Sequence, residues 1–348
     1  MSGASNSIND WKSVLKADPT DWLLERNNPS VRYFTLTSIL DIPPDRSKVI
    51  DSYREIMETG VVPRILSKQE EGGYWGISKD FYMRAKYKGT VWQLIILAEL
   101  GASSSDKRIQ KACEFIFENS QDRSSGSFAM QGTPKNGGNH SAVIPCLTGN
   151  MVYSLIKLGY LEDPRLQKGI EWIAAYQRFD DQTDKIPRGW PYDMANACWG
   201  RHTCSMGAIK ALNALSAIPE HMRSPEVKHT IAEGAEYFLK HHVHKRSHSL
   251  GKICKPSWLK FGFPLMYQTD ALEILSILTE LGYRDERMQE AIDLVLSKQD
   301  DQGRWILEST FNGRFHVNIE VKGKPSKWVT LKALRMLKTQ ISDNIGTK

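Results

Sequence analysis

Nowhere in the 348 residues is there an unbroken apolar run of about 18, which a membrane-spanning helix would need. The opening MSGASNSINDW lacks the charged start and apolar stretch of a secretion signal, so a cytoplasmic protein is the expectation. Cysteines are sparse and odd in number, namely Cys113, Cys146, Cys198, Cys204 and Cys254. That excludes a disulfide framework and leaves reduced thiols for packing, metal or catalysis. An excess of one charge is missing too: 46 Lys and Arg face 40 Asp and Glu, scattered along the chain, so nucleic acid is not an expected partner. A hydrophobic share of 41% excludes disorder and supplies a sizeable core.

What the sequence has is repetition. Leu100-Gly101-Ala102, Leu158-Gly159-Tyr160 and Leu281-Gly282-Tyr283 each close an apolar run and precede an amphipathic segment, as a helix with a C-terminal glycine followed by a second helix should. The segments after these glycines carry apolar residues at helical spacing, for instance Ile109, Ala112, Cys113 and Ile116, and read as outer helices with one wet face. The segments before them, such as Val91 to Leu100, are apolar around most of their circumference and read as inner helices. Between each outer helix and the next inner one lies a Gln, then Gly and an aromatic: Gln69…Gly73-Tyr74-Trp75, Gln121…Gly126-Ser127-Phe128, Gln177…Gly189-Trp190 and Gln299…Gly303-Arg304-Trp305. A glutamine there can bond exposed backbone groups while the aromatic packs over the next pair.

Inner helices are expected to start near Pro29, Lys88, Pro145, Arg201, Pro264 and Pro325, 56 to 63 residues apart. Outer helices are expected over 46–67, 105–119, 163–176, 224–242 and 285–298, with Trp11 to Leu15 closing the ring. The fold class expected is all-α, an α6/α6 toroid: a closed ring of inner and outer helices in a single domain over 1–348, its core about 20–340.

Gln299-Asp300-Asp301-Gln302-Gly303-Arg304-Trp305 resembles the QW motif of squalene-hopene and oxidosqualene cyclases, and the period resembles the toroid shared with protein prenyltransferase β subunits. The resemblance implies an aromatic-lined cavity at the inner-helix N-termini that binds an isoprenoid or related lipid, with Lys88, Trp92, Thr148 and Trp328 among its substrate-binding residues. The Asp-x-Asp-Asp acid of squalene-hopene cyclases is absent. Asp270 in Gln268-Thr269-Asp270-Ala271 is the nearest inner-helix acid and a catalytic candidate, but alone it lacks the neighbours that make a carboxylic acid strong.

Cys198-Trp199-Gly200-Arg201-His202-Thr203-Cys204 gathers soft ligands at the entry of an inner helix, suited to zinc. His202-Thr203-Cys204 looks like the His-bearing part of the prenyltransferase zinc pattern. The metal candidates are Cys146, Cys198, His202 and Cys204, and His202 and Cys204 are catalytic candidates as well. Two residues apart, these last two diverge by about 200° on a helix, so one must precede it. Lys324 and Lys327, flanking the start of the last inner helix, would attract a phosphate and resemble the Gly-Lys-Pro-x-Lys stretch of farnesyltransferases. Asp180-Asp181-Gln182-Thr183-Asp184 matches Asp-Asp-x-x-Asp but falls in a polar loop and reads as a solvated turn. His241 to His248 reads as a hydrated basic helix end.

The expected function is a prenyltransferase- or squalene-cyclase-like enzyme acting on an isoprenoid or related lipid in the toroid cavity, with zinc as its cofactor and without Asp-x-Asp-Asp protonation. The alternative is a non-catalytic toroid that binds a lipid or a partner. A partner subunit is left open.

Overall fold

The structure is a computed structural model that describes residues 10–84 and 86–342. It is helical, with two short hairpins among the described residues, β1–β2 (Gly132–Thr133, Gly137–Gly138) and β3–β4 (Lys245–Arg246, Ser249–Ile253). In chain order the helices are α1 (Thr20–Leu23), α2 (Pro29–Phe34), α3 (Ser47–Glu58), α4 (Val61–Leu66), α5 (Thr90–Glu99), α6 (Lys107–Asn119), α7 (Pro145–Lys157), α8 (Pro164–Tyr176), α9 (Ser205–Ser216), α10 (Pro225–Lys240), α11 (Ala271–Glu280), α12 (Gln289–Ser297) and α13 (Lys327–Ser342).

The two helix types differ as their patterns require. α5 buries every residue from Thr90 to Ala98, whereas α6 buries Ile109, Ala112, Cys113 and Ile116 and leaves its other face wet. The core helices touch in the order α5, α7, α9, α11, α13, α2, and each of α3, α6, α8, α10 and α12 packs on the core helix that precedes it in the chain. Buried apolar side chains form one continuous cluster from Trp11 to Leu337. No helix among the described residues is long and apolar enough to cross a membrane.

The Gln–Gly–aromatic element ties one pair to the next through repeated bonds. Gln69 donates to the carbonyls of Gly73 (3.2 Å) and Arg108 (2.9 Å), and Gln121 to those of Gly126 (2.9 Å) and Arg165 (2.7 Å), so each reaches the start of the following outer helix. The aromatic residue then gives its backbone N–H to a threonine on a core helix: Trp75 to Thr90 (3.3 Å), Phe128 to Thr148 (3.0 Å), Trp305 to Thr330 (3.0 Å). Gln299 has no later outer helix to bond among the described residues, and it bonds the N-terminal segment instead, donating to Val14 (3.2 Å) and accepting from the Lys16 N–H (3.0 Å).

The glycine of the element is needed for the same close approach. At Gly303, φ +69°, a Cβ would lie 1.9 Å from the Ala17 carbonyl oxygen. Gly303→Ala therefore adds an overlap with backbone to the cost of a left-handed residue, and about 2–4 kcal/mol of stability is expected to go. Gly313, φ +83° with nothing within 4 Å of its would-be Cβ, bears only the conformational cost of about 1–2 kcal/mol. Urea unfolding of the two variants separates the terms, and equal losses would show that the N-terminal segment does not press on this loop.

Four expectations need correction. The outer helix expected over 46–67 is broken into α3 and α4 at Thr59-Gly60, where Gly60 turns with φ +79°. α9 begins at Ser205 rather than near Arg201, because the preceding residues pair with another loop: Thr203 N–H bonds the Asp180 carbonyl at 2.9 Å. α11 begins at Ala271 rather than near Pro264, because the Asp270 side chain caps it. Trp190 is not the buried aromatic of its repeat; it stacks on His140 at 4.2 Å, and Asp180 makes the backbone bond to Thr203 (2.9 Å) that the aromatic makes elsewhere.

Candidate functional site

At the N-terminal ends of the core helices, Cys146 is the second residue of α7, Cys204 immediately precedes α9, and Cys198 stands in the loop before it. Burial pushes the Cys146 thiol up to about 12, with the thiols of Cys198 and Cys204 adding to it. Burial likewise raises Cys198 to about 12, with Cys204 contributing. Each thiol thus feels the others, and the Tyr82 hydroxyl feels Cys146. Thiols held that high are protonated at neutral pH and are weak nucleophiles.

His202 lies elsewhere. Its Nδ1 faces Asp181 Oδ1 at 3.1 Å, and His248 Nε2 reaches Asp181 Oδ2 at 3.3 Å. His241 Nε2 lies 4.0 Å from Oδ1, buried and without a hydrogen-bond partner. Among the described residues no three His, Cys, Asp or Glu side chains are placed to hold one ion. The expected zinc set is thus divided, with Cys146, Cys198 and Cys204 on one side and His202 on the other. Asp181 is not in a solvated turn either: its side chain is 13% exposed, and His241 and His244 belong to the interior rather than to a hydrated helix end.

Around the thiols, the Trp92 ring stacks on Tyr82 at 4.8 Å and gives its indole N–H to the Tyr82 carbonyl at 2.9 Å. Tyr87 and Tyr267 approach it at 5.2 and 6.2 Å. The rings cover one another's faces. Thr148 is fully buried and spends its hydroxyl on the Phe128 tie and the Ile144 carbonyl. Lys88 is exposed.

Asp270 is held from two sides, Oδ1 accepting from the Glu273 N–H (2.8 Å) and Oδ2 from the Gly262 N–H (2.9 Å). Burial pushes its carboxyl up to about 7, and the neighbouring Glu273 adds to the effect. Such an acid is weaker than an ordinary carboxylic acid and poorly suited to protonating an alkene. The N-terminus of α13, expected to hold a phosphate, already holds an anion. Glu320 Oε1 accepts from the N–H groups of Lys327 (2.8 Å) and Trp328 (3.3 Å), and the Lys327 ammonium pairs with Glu25 (2.9 Å) and Asn27 (2.6 Å). Lys324 stands exposed. Trp328 is buried and stacks on Phe263 at 4.3 Å.

A cavity of about 320 Å³ opens between the core helices toward the C-terminal ends of α5, α7 and α9, and each of α2, α5, α7, α9, α11 and α13 contributes to its wall. The wall is ionic. Lys332 meets Glu99 at 2.9 Å, and the buried Lys210 donates to both oxygens of Glu273 at 2.6 and 2.8 Å. Burial opposes charge on Glu99, yet Lys332 holds its carboxyl below the usual range. Arg335 gives its Nε–H to the Ser38 hydroxyl at 2.6 Å and lies 4.7 Å over the Phe34 ring. Glu280 and Lys157 are exposed lining residues, and Tyr33, Tyr53, Tyr153, Asn213 and Ser276 add neutral polar groups. Sequence reasoning assigned Trp328 to a site and Gly101 and Ala102 to a helix turn, but none of the charged wall residues; the available signal was charge on helices otherwise apolar all round. A larger groove of about 500 Å³ lies outside, between α8 and α10, remote from these groups.

No protein-family profile matches the chain, and no curated protein matches it in sequence. Among solved structures it is similar to cellobiose 2-epimerase from Bacillus thermoamylovorans (13% identity over 72% of this chain and 71% of that one, TM-score 0.42). It is also similar to the GH76 α-mannanase of Bacteroides thetaiotaomicron (12%, 74% and 69%, TM-score 0.39). A further likeness is to the type II terpene cyclase MstE of Scytonema bound to geranylgeranyl dihydroxybenzoate (13%, 80% and 95%, TM-score 0.30). Likeness at this level decides no reaction.

Proposed function

We propose that the protein is an α/α toroid, one ring of six helix pairs over about 20–340, that takes a compact polar molecule into its ionic cavity. The observation that carries this reading is the wall itself, contributed by all the core helices and rich in charge. An apolar chain threaded there would strip the water from Arg335, which has no ion-pair partner among the described residues, at a cost of several kcal/mol for an ion left unpaired. A polar molecule replaces the lost water with hydrogen bonds. About 320 Å³ is at the small end of ligand sites.

The second reading keeps the isoprenoid or related lipid, and the observation favouring it is the aromatic stack of Tyr82, Trp92, Tyr87 and Tyr267 beside the three thiols. In that reading the lipid lies against these rings, and Cys146 and Cys198, whose thiols burial keeps protonated, stand beside it without a metal. Thermal-shift and calorimetric titration separate the two. Small carboxylates, phosphate and monosaccharides are expected to bind in at least one case, while squalene and farnesyl diphosphate, with and without zinc, are expected to leave the protein unchanged. Lipid binding without any polar binding would reverse the order.

A further inference from the structure

The charges in and beside the cavity do not cancel in place. Lys332 and Lys210 are each matched by a carboxylate, Glu99 and Glu273. Four cations, counting Lys157 and Arg335, stand against three carboxylates, counting Glu280. Arg335 has no carboxylate within ion-pair distance among the described residues and is held by neutral groups instead. Ser38 fixes its Nε–H, Phe34 supports its plane, and the Ser38 hydroxyl is itself anchored to the Phe34 carbonyl. Neither terminal nitrogen of Arg335 has a hydrogen-bond or ion-pair partner among the described residues, and neither is sealed from open space. The side chain is therefore an oriented fork with its donors free.

The wall around it repeats the pattern. Trp328 keeps a buried indole N–H without a partner. Tyr33 and Tyr153 line the same space with no hydrogen bond from their hydroxyls to the described residues. Of these donors only the Trp328 indole N–H is both buried and unpartnered, which is rare in folded proteins; those of Arg335, Tyr33 and Tyr153 open on the cavity, where a ligand can reach them. A guanidinium presents two parallel N–H groups that match the spacing of two oxygens on a carboxylate or phosphate.

We propose that the Arg335 fork is the docking point for an oxyanion group, carboxylate or phosphate, of the small molecule taken by the cavity; this rests on the cavity being a ligand site. Tyr33 and Tyr153 supply further donors, and Ser38 is a positioning residue that sets the fork's orientation. Glu280, at the exposed rim, disfavours a second negative charge there, so a ligand with one anionic end and a neutral or cationic remainder fits better than a dianion with separated charges.

The test is calorimetric titration of the full chain with inorganic phosphate, with acetate and with a neutral monosaccharide. Native protein is expected to bind phosphate or acetate, and which of the two binds identifies the source of the oxyanion. Arg335→Gln is expected to weaken that binding at least about tenfold, and Arg335→Lys by a smaller factor, since charge is kept and the fork is lost. Ser38→Ala, which leaves every charge in place, is expected to weaken it a few-fold and keeps the question answerable where Arg335→Gln fails to fold. Anion binding unchanged in all three variants overturns the role of Arg335. Monosaccharide binding without anion binding also overturns it and leaves the polar cavity standing. Failure of every probe overturns both.

Discussion

Lys210→Met is expected to destabilise the protein by about 3–5 kcal/mol, because it removes one half of a buried ion pair and leaves the other uncompensated. The Lys210 side chain is 2% exposed and Glu273, its partner, 11%. The pair joins α9 to α11. Replacing both members, as Lys210→Met with Glu273→Leu, removes the charge that would be stranded and is expected to recover most of the loss. Chemical denaturation of the two singles and the double gives the coupling directly. A single variant as stable as the native chain would mean that water or another cation reaches Glu273.

The second large effect follows pH. A carboxyl whose ordinary value is 3.8 and which burial raises to about 7, as at Asp270, binds its proton more tightly folded than unfolded. Its contribution is then favourable while the group is protonated and is lost as pH rises from about 4 through about 7, with the loss complete above. At about 1.4 kcal/mol per pH unit the ceiling is about 4 kcal/mol, reduced by any water admitted when the group ionises. Asp270→Asn keeps one acceptor for the Glu273 N–H, sets an amide against the Gly262 N–H, and cannot titrate. It is expected to be less stable than native protein near pH 5 and to lack the decline between pH 5 and 8. A native profile that is flat over this interval would place the carboxyl at an ordinary value.

The sequence carried the frame because each part of it is local. Gly101, Gly159 and Gly282 were readable as helix ends from the leucine before and the charged segment after, and all three turn with positive φ, at 72°, 90° and 87°. Trp75, Phe128 and Trp305 were readable as repeat ties from their distance to a glutamine. Lys327 could not be read correctly from its neighbours, since the carboxylate that fills its helix end comes from Glu320, seven residues back through an irregular loop. His202 looked like a companion of Cys204 by spacing, yet its partners are Asp181 and His248, brought in from separate loops. The cavity was the least legible part. Glu99 and Lys332 are 233 residues apart, and nothing short of the folded chain says that they meet.

The bond between Gln299 and Lys16 spans 283 residues. At a synthesis rate of about 5–20 residues per second, roughly 15–60 s pass between the making of its two ends. Through that interval the segment of Trp11, 2% exposed in the finished fold, lacks α13 and the Gln299 loop that it packs on and bonds, while the repeats from α2 onward can already stack. An early-made segment is thus among the last to find its place, and interruption of synthesis before α12 leaves Trp11 without the surface that it closes.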